Sequence, residues 1–163
     1  MRYGASALAT VALLAAASAV AAERSVTMNA VTAEGVGAPV GTVTLSTTDA
    51  GTTFLLALRG LPPGEHGFHI HTKGDCAPGP DAQGLVVAAG AAGGHWDPAG
   101  TGRHAGPEGD GHLGDLPAIT VAADGTAGGT LTAARIRDAA ALGGHALMIH
   151  SGGDNHSDHP QPL

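Results

Sequence analysis

From Ser25 onward the chain alternates apolar and polar residues in short runs separated by turn residues. Ser25 to Ala33 places Val26, Met28 and Ala30 against Thr27 and Asn29. Val40 to Thr47 sets Gly41, Val43 and Leu45 on one face and Val40, Thr42, Thr44 and Ser46 on the other. Side chains at i and i+2 share a face of a strand, so both runs predict β-strands with one buried face. Asp49-Ala50-Gly51 is a turn signal, and Thr52 to Leu58 follows as a third strand. Further strands are expected over His66 to Thr72, Pro117 to Ala122, Gly129 to Thr132 and Ala146 to His150. The Asp124-Gly125 pair predicts a hairpin between the strands that flank it. Arg135 to Leu142 could form a helical turn. Many short strands with regularly spaced turns predict an all-β domain, a sandwich or barrel.

Two segments depart from this pattern. Met1-Arg2 gives a positive start, Ala5 to Val20 is an uncharged apolar run, and Ala19-Val20-Ala21 is a small-residue cleavage pattern. That order predicts a secretory signal peptide over residues 1–21, with cleavage after Ala21 or one residue later, and a single domain over 22–163. The second segment, Cys76 to Leu116, is rich in Gly and Pro without periodicity. A loop of that length inside a small domain is functional or disordered.

The net charge is −7 and Lys73 is the only lysine. Phosphate-backbone binding rests on clustered Lys and Arg, so a nucleic-acid partner is not expected. Nor is a membrane partner expected once the leader is removed. An exported, acidic protein of the periplasm or the extracellular space fits. Cys76 is the only cysteine and cannot form an internal disulfide.

The chemistry lies in the ten histidines. His69 and His71, two residues apart on an expected strand, project from one face and could meet one ion; alone they could equally be polar side chains on a wet face. His95, His104, His112 and Asp115 fall in the aperiodic loop. Zinc takes nitrogen and oxygen ligands and prefers four of them. The alternative is a solvated acidic loop, but Glu108, Asp110 and Asp115 with no lysine nearby would repel one another, and a bound cation relieves that repulsion.

Five segments taken together carry a family resemblance. Gly64 to His71, Gly94-His95-Trp96-Asp97-Pro98, His104-Ala105-Gly106-Pro107, Gly111-His112-Leu113-Gly114-Asp115-Leu116 and Met148-Ile149-His150 occur in the order and spacing of copper/zinc superoxide dismutases of the bacterial secreted type. The resemblance runs from about Ser25 to the last residue. It implies a Greek-key β-barrel or sandwich, copper and zinc as cofactors, and dismutation of superoxide to oxygen and hydrogen peroxide as antioxidant defence. Residue by residue it implies copper ligands His69, His71, His95 and His150, and zinc ligands His95, His104, His112 and Asp115. His95 then bridges the metals and is catalytic, taking and returning a proton. Asp154 falls where an outer carboxylate would hold ligand histidines of both metals, although Gly152-Gly153-Asp154-Asn155 also reads as a turn. His66 is expected to be structural, and His145, His156 and His159 to be surface residues, with a peripheral metal contact by His156 and His159 as the lesser reading.

The same resemblance sets an expectation for the end of the fold. A Gly-rich stretch, an arginine beside the copper, a cysteine to pair with Cys76 and a last strand would follow Leu163. Without them the loop at Cys76 would lose a disulfide typically worth about 2–5 kcal/mol. The anion would lose its guiding charge, with Arg103 no evident substitute, and a sheet edge would stand unpaired. Three readings follow: an active dismutase of reduced rate; a copper- and zinc-binding member without catalysis; or an incomplete chain of an active enzyme. Monomer and dimer are both open.

Overall fold

A computed structural model describes residues 23–81 and 83–157. The expected leader over 1–21, His159 and the final residues lie outside the described residues. Arg24–Thr32 (β1), Gly35–Thr48 (β2) and Gly51–Leu58 (β3) form an antiparallel meander, and the sheet is completed by Ala127–Ala133 (β9) beside β3. Between β3 and β9 come Gly64–His66 (β4), Phe68–His71 (β5), the two-residue pair Gly79–Pro80 (β6) and Val86–Val87 (β7), and Ile119–Val121 (β8). The last strand among the described residues is Ala146–Ile149 (β10), which pairs antiparallel with β5, while β4 pairs with β8. The expected all-β sandwich is present.

Alternation decides which faces close. Val43 and Leu45 of β2 and Phe54, Leu56 and Leu58 of β3 are buried, as the apolar positions of a strand should be. They pack against Phe68, Ile70, Leu116, Ile119 and Val121, and the rings of Phe54 and Phe68 meet edge to face at 5.7 Å. In β1 only Met28 is fully buried, and Val26 stays 37 % exposed. The reason is topological: among the described residues β1 pairs only with β2, and β10 only with β5. An apolar groove of about 440 Å³ runs between these two open edges, lined by Val26 to Val31 and by Ala146 to Ser151, with Cys76 at its wall. Cys76 is unpaired.

Two expectations require correction. The strand expected over His66 to Thr72 breaks at Gly67, so that β4 and β5 join different ladders. Gly67 N–H instead donates to Gly152 O and its carbonyl accepts from His150 N–H, which draws the segment after β10 across the break. The Asp124-Gly125 turn forms, with Gly125 at φ +81°, but it joins β8 and β9, which lie in different sheets, so it is a corner and not a hairpin. A 3₁₀ helix at Ala139–Leu142 realises the end of the expected helical turn, capped by the Asp138 side chain accepting from Ala140 N–H.

Candidate metal centre

Strand β5 has the core on one side and imidazoles on the other. Phe68 and Ile70 face the sandwich interior, so the intervening positions put His69 and His71 on the opposite face, and all four residues are buried. β10 lies beside β5 with Met148 opposite His69, and His150 follows directly at its end.

The long aperiodic segment is held on β5 by backbone hydrogen bonds. Ile70 N–H donates to Gly114 O, Trp96 N–H to Ile70 O and Gly114 N–H to Trp96 O. Gly114 is required there: a Cβ would stand 2.3 Å from Ile70 O. Short bridges pair His69 with Asp115 and His71 with His95, so the loop delivers its candidate ligands to the histidine face of the strand. Burial of Leu116 at the loop's end and of the loop backbone against β5 supplies order that the polar composition does not announce.

Two groups of donor atoms result. In each, one atom per residue lies within 4.8 Å of the others: His69, His71, His95 and His150 in the first, and His95, His104, His112 and Asp115 in the second. His95 belongs to both. Its Nδ1 lies 2.9 Å from Asp115 Oδ1, which leaves Nε2 for the first group. In that group His71 Nε2 and His150 Nε2 are 3.3 Å apart. In the second, Asp115 Oδ1 is 2.9 Å from His104 Nδ1 and 3.5 Å from His112 Nδ1. His69 Nδ1 and His112 Nδ1 are buried, with no hydrogen-bond partner among the described residues. Buried polar atoms are nearly always satisfied, so such nitrogens aimed into a donor cluster fit a cation. Four imidazoles suit copper, and three imidazoles with one carboxylate suit zinc.

The remaining ring nitrogens are anchored. His71 Nδ1 donates to Gly93 O at 2.6 Å. His69 Nε2 and His104 Nε2 donate to the two oxygens of Asp154, at 2.6 Å and 2.7 Å. Asp154, read from the sequence as either an outer carboxylate or a turn residue, thus touches one histidine of each group. These bonds fix the ring tautomers, with the opposite nitrogen left as a lone-pair donor.

Electrostatics follow from burial. Desolvation lowers His69 to about 3 and His71 to about 4, helped by neighbouring His95 and His150, and it lowers His150 as well. For His104 burial also disfavours the charged form, but hydrogen bonds and charge from Asp154 and Asp115 outweigh it, and its pKa is raised. Burial would raise Asp115, yet hydrogen bonds from His95 and His104 bring it down to about 2, and Asp154 is held well below the carboxylate range by His104, the His156 N–H and His69 against the same burial.

The other histidines separate. His66 is buried, with Nδ1 at 2.7 Å from His150 O and Nε2 at 2.8 Å from Pro62 O, a structural position as expected. His145 bonds Thr72 O and stacks on Trp96 at 4.7 Å. His156 is exposed, as expected of a surface residue, and its ring also lies beside Asp154, with Nδ1 3.5 Å from Oδ2. Arg103 pairs with Asp110 through an exposed side chain, and Glu108 is exposed, so only Asp115 of the three loop acids turns inward. One residue escaped the sequence reading. Arg135 donates through Nη1 to His112 O at 3.0 Å and through Nη2 to Gly111 O at 2.6 Å, clamping the second group's loop from β9's end. No local motif marks that role, because its targets are backbone carbonyls far off in sequence.

Comparison with known proteins gives this geometry a family. Residues 39–163 match the family model described as copper/zinc superoxide dismutase. The chain is 55 % identical over 156 residues to Cu-Zn superoxide dismutase 2 of Salmonella typhimurium, covering 96 % of this chain and 90 % of that one. Among solved structures it resembles the Cu/Zn superoxide dismutase from Brucella abortus, with TM-score 0.83, 45 % identity and coverage of 87 % and 92 %. It also resembles the monomeric copper, zinc superoxide dismutase from Salmonella enterica, with TM-score 0.76, 54 % identity and the same coverage of 87 % and 92 %. Dismutation of superoxide with copper and zinc is therefore the chain's chemistry, and the chain belongs to the copper/zinc superoxide dismutase family.

Proposed function

We propose that the first donor group holds copper and the second zinc, and that His95 bridges them as the catalytic proton carrier. The observation that carries this reading is the shared histidine, with Nδ1 facing Asp115 and Nε2 left for His69, His71 and His150. Each group has two buried and two partly exposed members, so the donor types and not exposure distinguish them: the first is all imidazole, with His95 and His150 partly exposed where a small anion can arrive. The second group contains the carboxylate and buries both His104 and Asp115, as a structural ion requires.

Copper, when bound, supplies a one-electron couple that one superoxide reduces and the next oxidises, while zinc undergoes no redox change. The chain's residues do the rest. The lowered pKa values keep His69 and His71 neutral at physiological pH, so their lone pairs are free. Asp154 holds the rings of His69 and His104 in register. His95 takes a proton at Nε2 as the first superoxide leaves as oxygen, and returns it to the second, which takes another from water and leaves as hydrogen peroxide. Two superoxides and two protons thus give one oxygen and one hydrogen peroxide.

The test is a dismutase assay on protein loaded with copper and zinc. A rate well above that of the same copper free in solution is expected. Full occupancy of both metals with no such excess would leave a metal-binding protein without catalysis.

We also propose residues 1–21 as an export leader, with the mature domain over 22–163 acting in the periplasm or outside the cell. The positive start, apolar run and small-residue site support it. Among the described residues no helix is long and apolar enough to cross a membrane. Sequencing the mature N-terminus should begin at residue 22 or 23; a protein retaining Met1 would contradict it.

A further inference from the structure

Among the described residues, Asp154 is the only side chain that touches a ring of each donor group at the nitrogens facing away from the groups. Its side chain has no exposed surface, although it sits in a short irregular segment after β10. His156, two residues on, contacts both of its oxygens. The His156 N–H donates to Asp154 Oδ1 at 2.8 Å, the oxygen that His104 also contacts. The His156 ring lies with Nδ1 at 3.5 Å from Oδ2, the oxygen that His69 contacts. At that distance the ring covers the carboxylate more than it bonds it.

The same ring is seated on the loop of the second group. Gly106, two residues past His104, offers its bare backbone: a Cβ there would stand 2.9 Å from both Cβ and Cγ of His156. The rings of His104 and His156 lie 6.3 Å apart, tilted by 37°. The backbone is bent to permit this, since His156 has φ +52°, in the left-handed region. Histidine enters that region more readily than most residues, but the conformation is uncommon outside glycine and persists where surroundings impose it. The His156 side chain is 40 % exposed while that of Asp154 beside it has no exposed surface.

We propose that His156 is a positioning residue for Asp154: seated on Gly106, its ring seals the carboxylate from solvent and keeps it between His69 and His104. The inference rests on the ligand assignment above. An outer carboxylate does its work only while both ring N–H groups bond to it and not to water, and losing such partners typically weakens metal affinity by about 10–100-fold. Water admitted at Asp154 would compete for the His69 and His104 protons, and both rings would gain freedom to turn.

The experiment separates the ring from the backbone it bends. His156→Gly removes the ring but relieves the positive φ and keeps the N–H, so a purely structural role predicts unchanged or improved thermal stability and nothing else. His156→Asn keeps a residue tolerant of the left-handed region and also lacks the ring. Both variants and the unsubstituted chain are loaded with zinc. Hydrogen exchange at Nε2–H of His69 and His104 is followed by nitrogen-15 NMR, and zinc affinity by chelator competition. In the unsubstituted protein both protons should exchange slowly. Both variants should speed that exchange at least tenfold and weaken zinc binding by about tenfold. Exchange and affinity within twofold of the unsubstituted protein in both variants would overturn the proposal. If the unsubstituted chain itself binds no zinc or shows no protected Nε2–H, the ligand assignment fails, and this inference falls with it.

Discussion

His95 Nδ1 stands 2.9 Å from Asp115 Oδ1, while the backbone of the same residue bridges to His71 in the other donor group. Under the proposed assignment this one imidazole spans two ion sites, and each site's electronic state should then depend on the other's occupancy. His95→Ala removes the link and leaves three histidines for copper. The variant's copper absorption and paramagnetic resonance spectra should become insensitive to zinc removal, with dismutase activity lost. The comparison that decides is the unsubstituted protein: copper spectra that already ignore zinc would mean that the histidine does not bridge.

Asp154 accepts from His69 Nε2 and His104 Nε2 with separate oxygens. Asp154→Asn has the same shape but replaces one acceptor with an N–H₂ donor. One ring N–H would then face a donor, and its tautomer would lose its anchor. Zinc and copper affinities should each fall by about 10–100-fold. Competition titrations against chelators of known affinity measure both, and a loss confined to one metal would show that the carboxylate serves one site only.

Much of this was readable along the chain, for specific reasons. β2 and β3 alternate cleanly because one face is core and the other solvent, as Leu45 and Phe54 against Thr44 and Leu55 show. The candidate ligand residues were readable because histidines two apart on a strand share a face, and because the five motifs, three of them in the loop, keep a recognisable order. The break at Gly67 was not, since Gly-Phe-His-Ile-His alternates as one strand would and the interruption comes from Gly152 and His150 crossing it. The Asp124-Gly125 corner was misread because a turn signal specifies a local reversal and not which sheet each strand joins. Asp154 could be weighed as an outer carboxylate only by resemblance. His156 and Arg135 were beyond reach, since their contacts, Gly106 and the Gly111 and His112 carbonyls, lie many residues away.

Arg135 spans two successive carbonyls with the fork of its guanidinium. Lysine carries the same charge but one point of attachment, so Arg135→Lys should hold one carbonyl and release the other. A lost hydrogen bond to a charged group amounts to about 1.5–3 kcal/mol. The loop carrying His112 should loosen, weakening zinc binding by roughly 10-fold or more while copper binding at His69, His71 and His150 changes little. Equal losses for both metals would point to general destabilisation, and no loss would show that the loop is held by its other contacts.

Acidity should act on the metal-free protein in a fixed direction. His69 and His71 have folded pKa values of about 3 and about 4, below the 6.5 of an exposed histidine, and His150 is lowered too. Between pH 6.5 and 4 the unfolded chain takes up protons at these positions that the folded chain refuses. Their contribution to stability is thus complete above pH 6.5 and is lost as pH falls through 4 toward 3. His104 works oppositely: its raised value favours the folded state below pH 6.5 and loses that contribution as pH rises through the folded pKa. Three lowered groups against one raised group give a net loss on acidification. Asp115, lowered to about 2, and Asp154 add to it below pH 4, where the unfolded carboxylates protonate first. Melting temperatures of the metal-free protein should therefore fall steadily from pH 7 to pH 4 and more steeply below. Replacing both His69 and His71 with asparagine should flatten the upper part of that curve, and a metal-free protein equally stable at pH 7 and pH 4.5 would contradict the burial of neutral imidazoles.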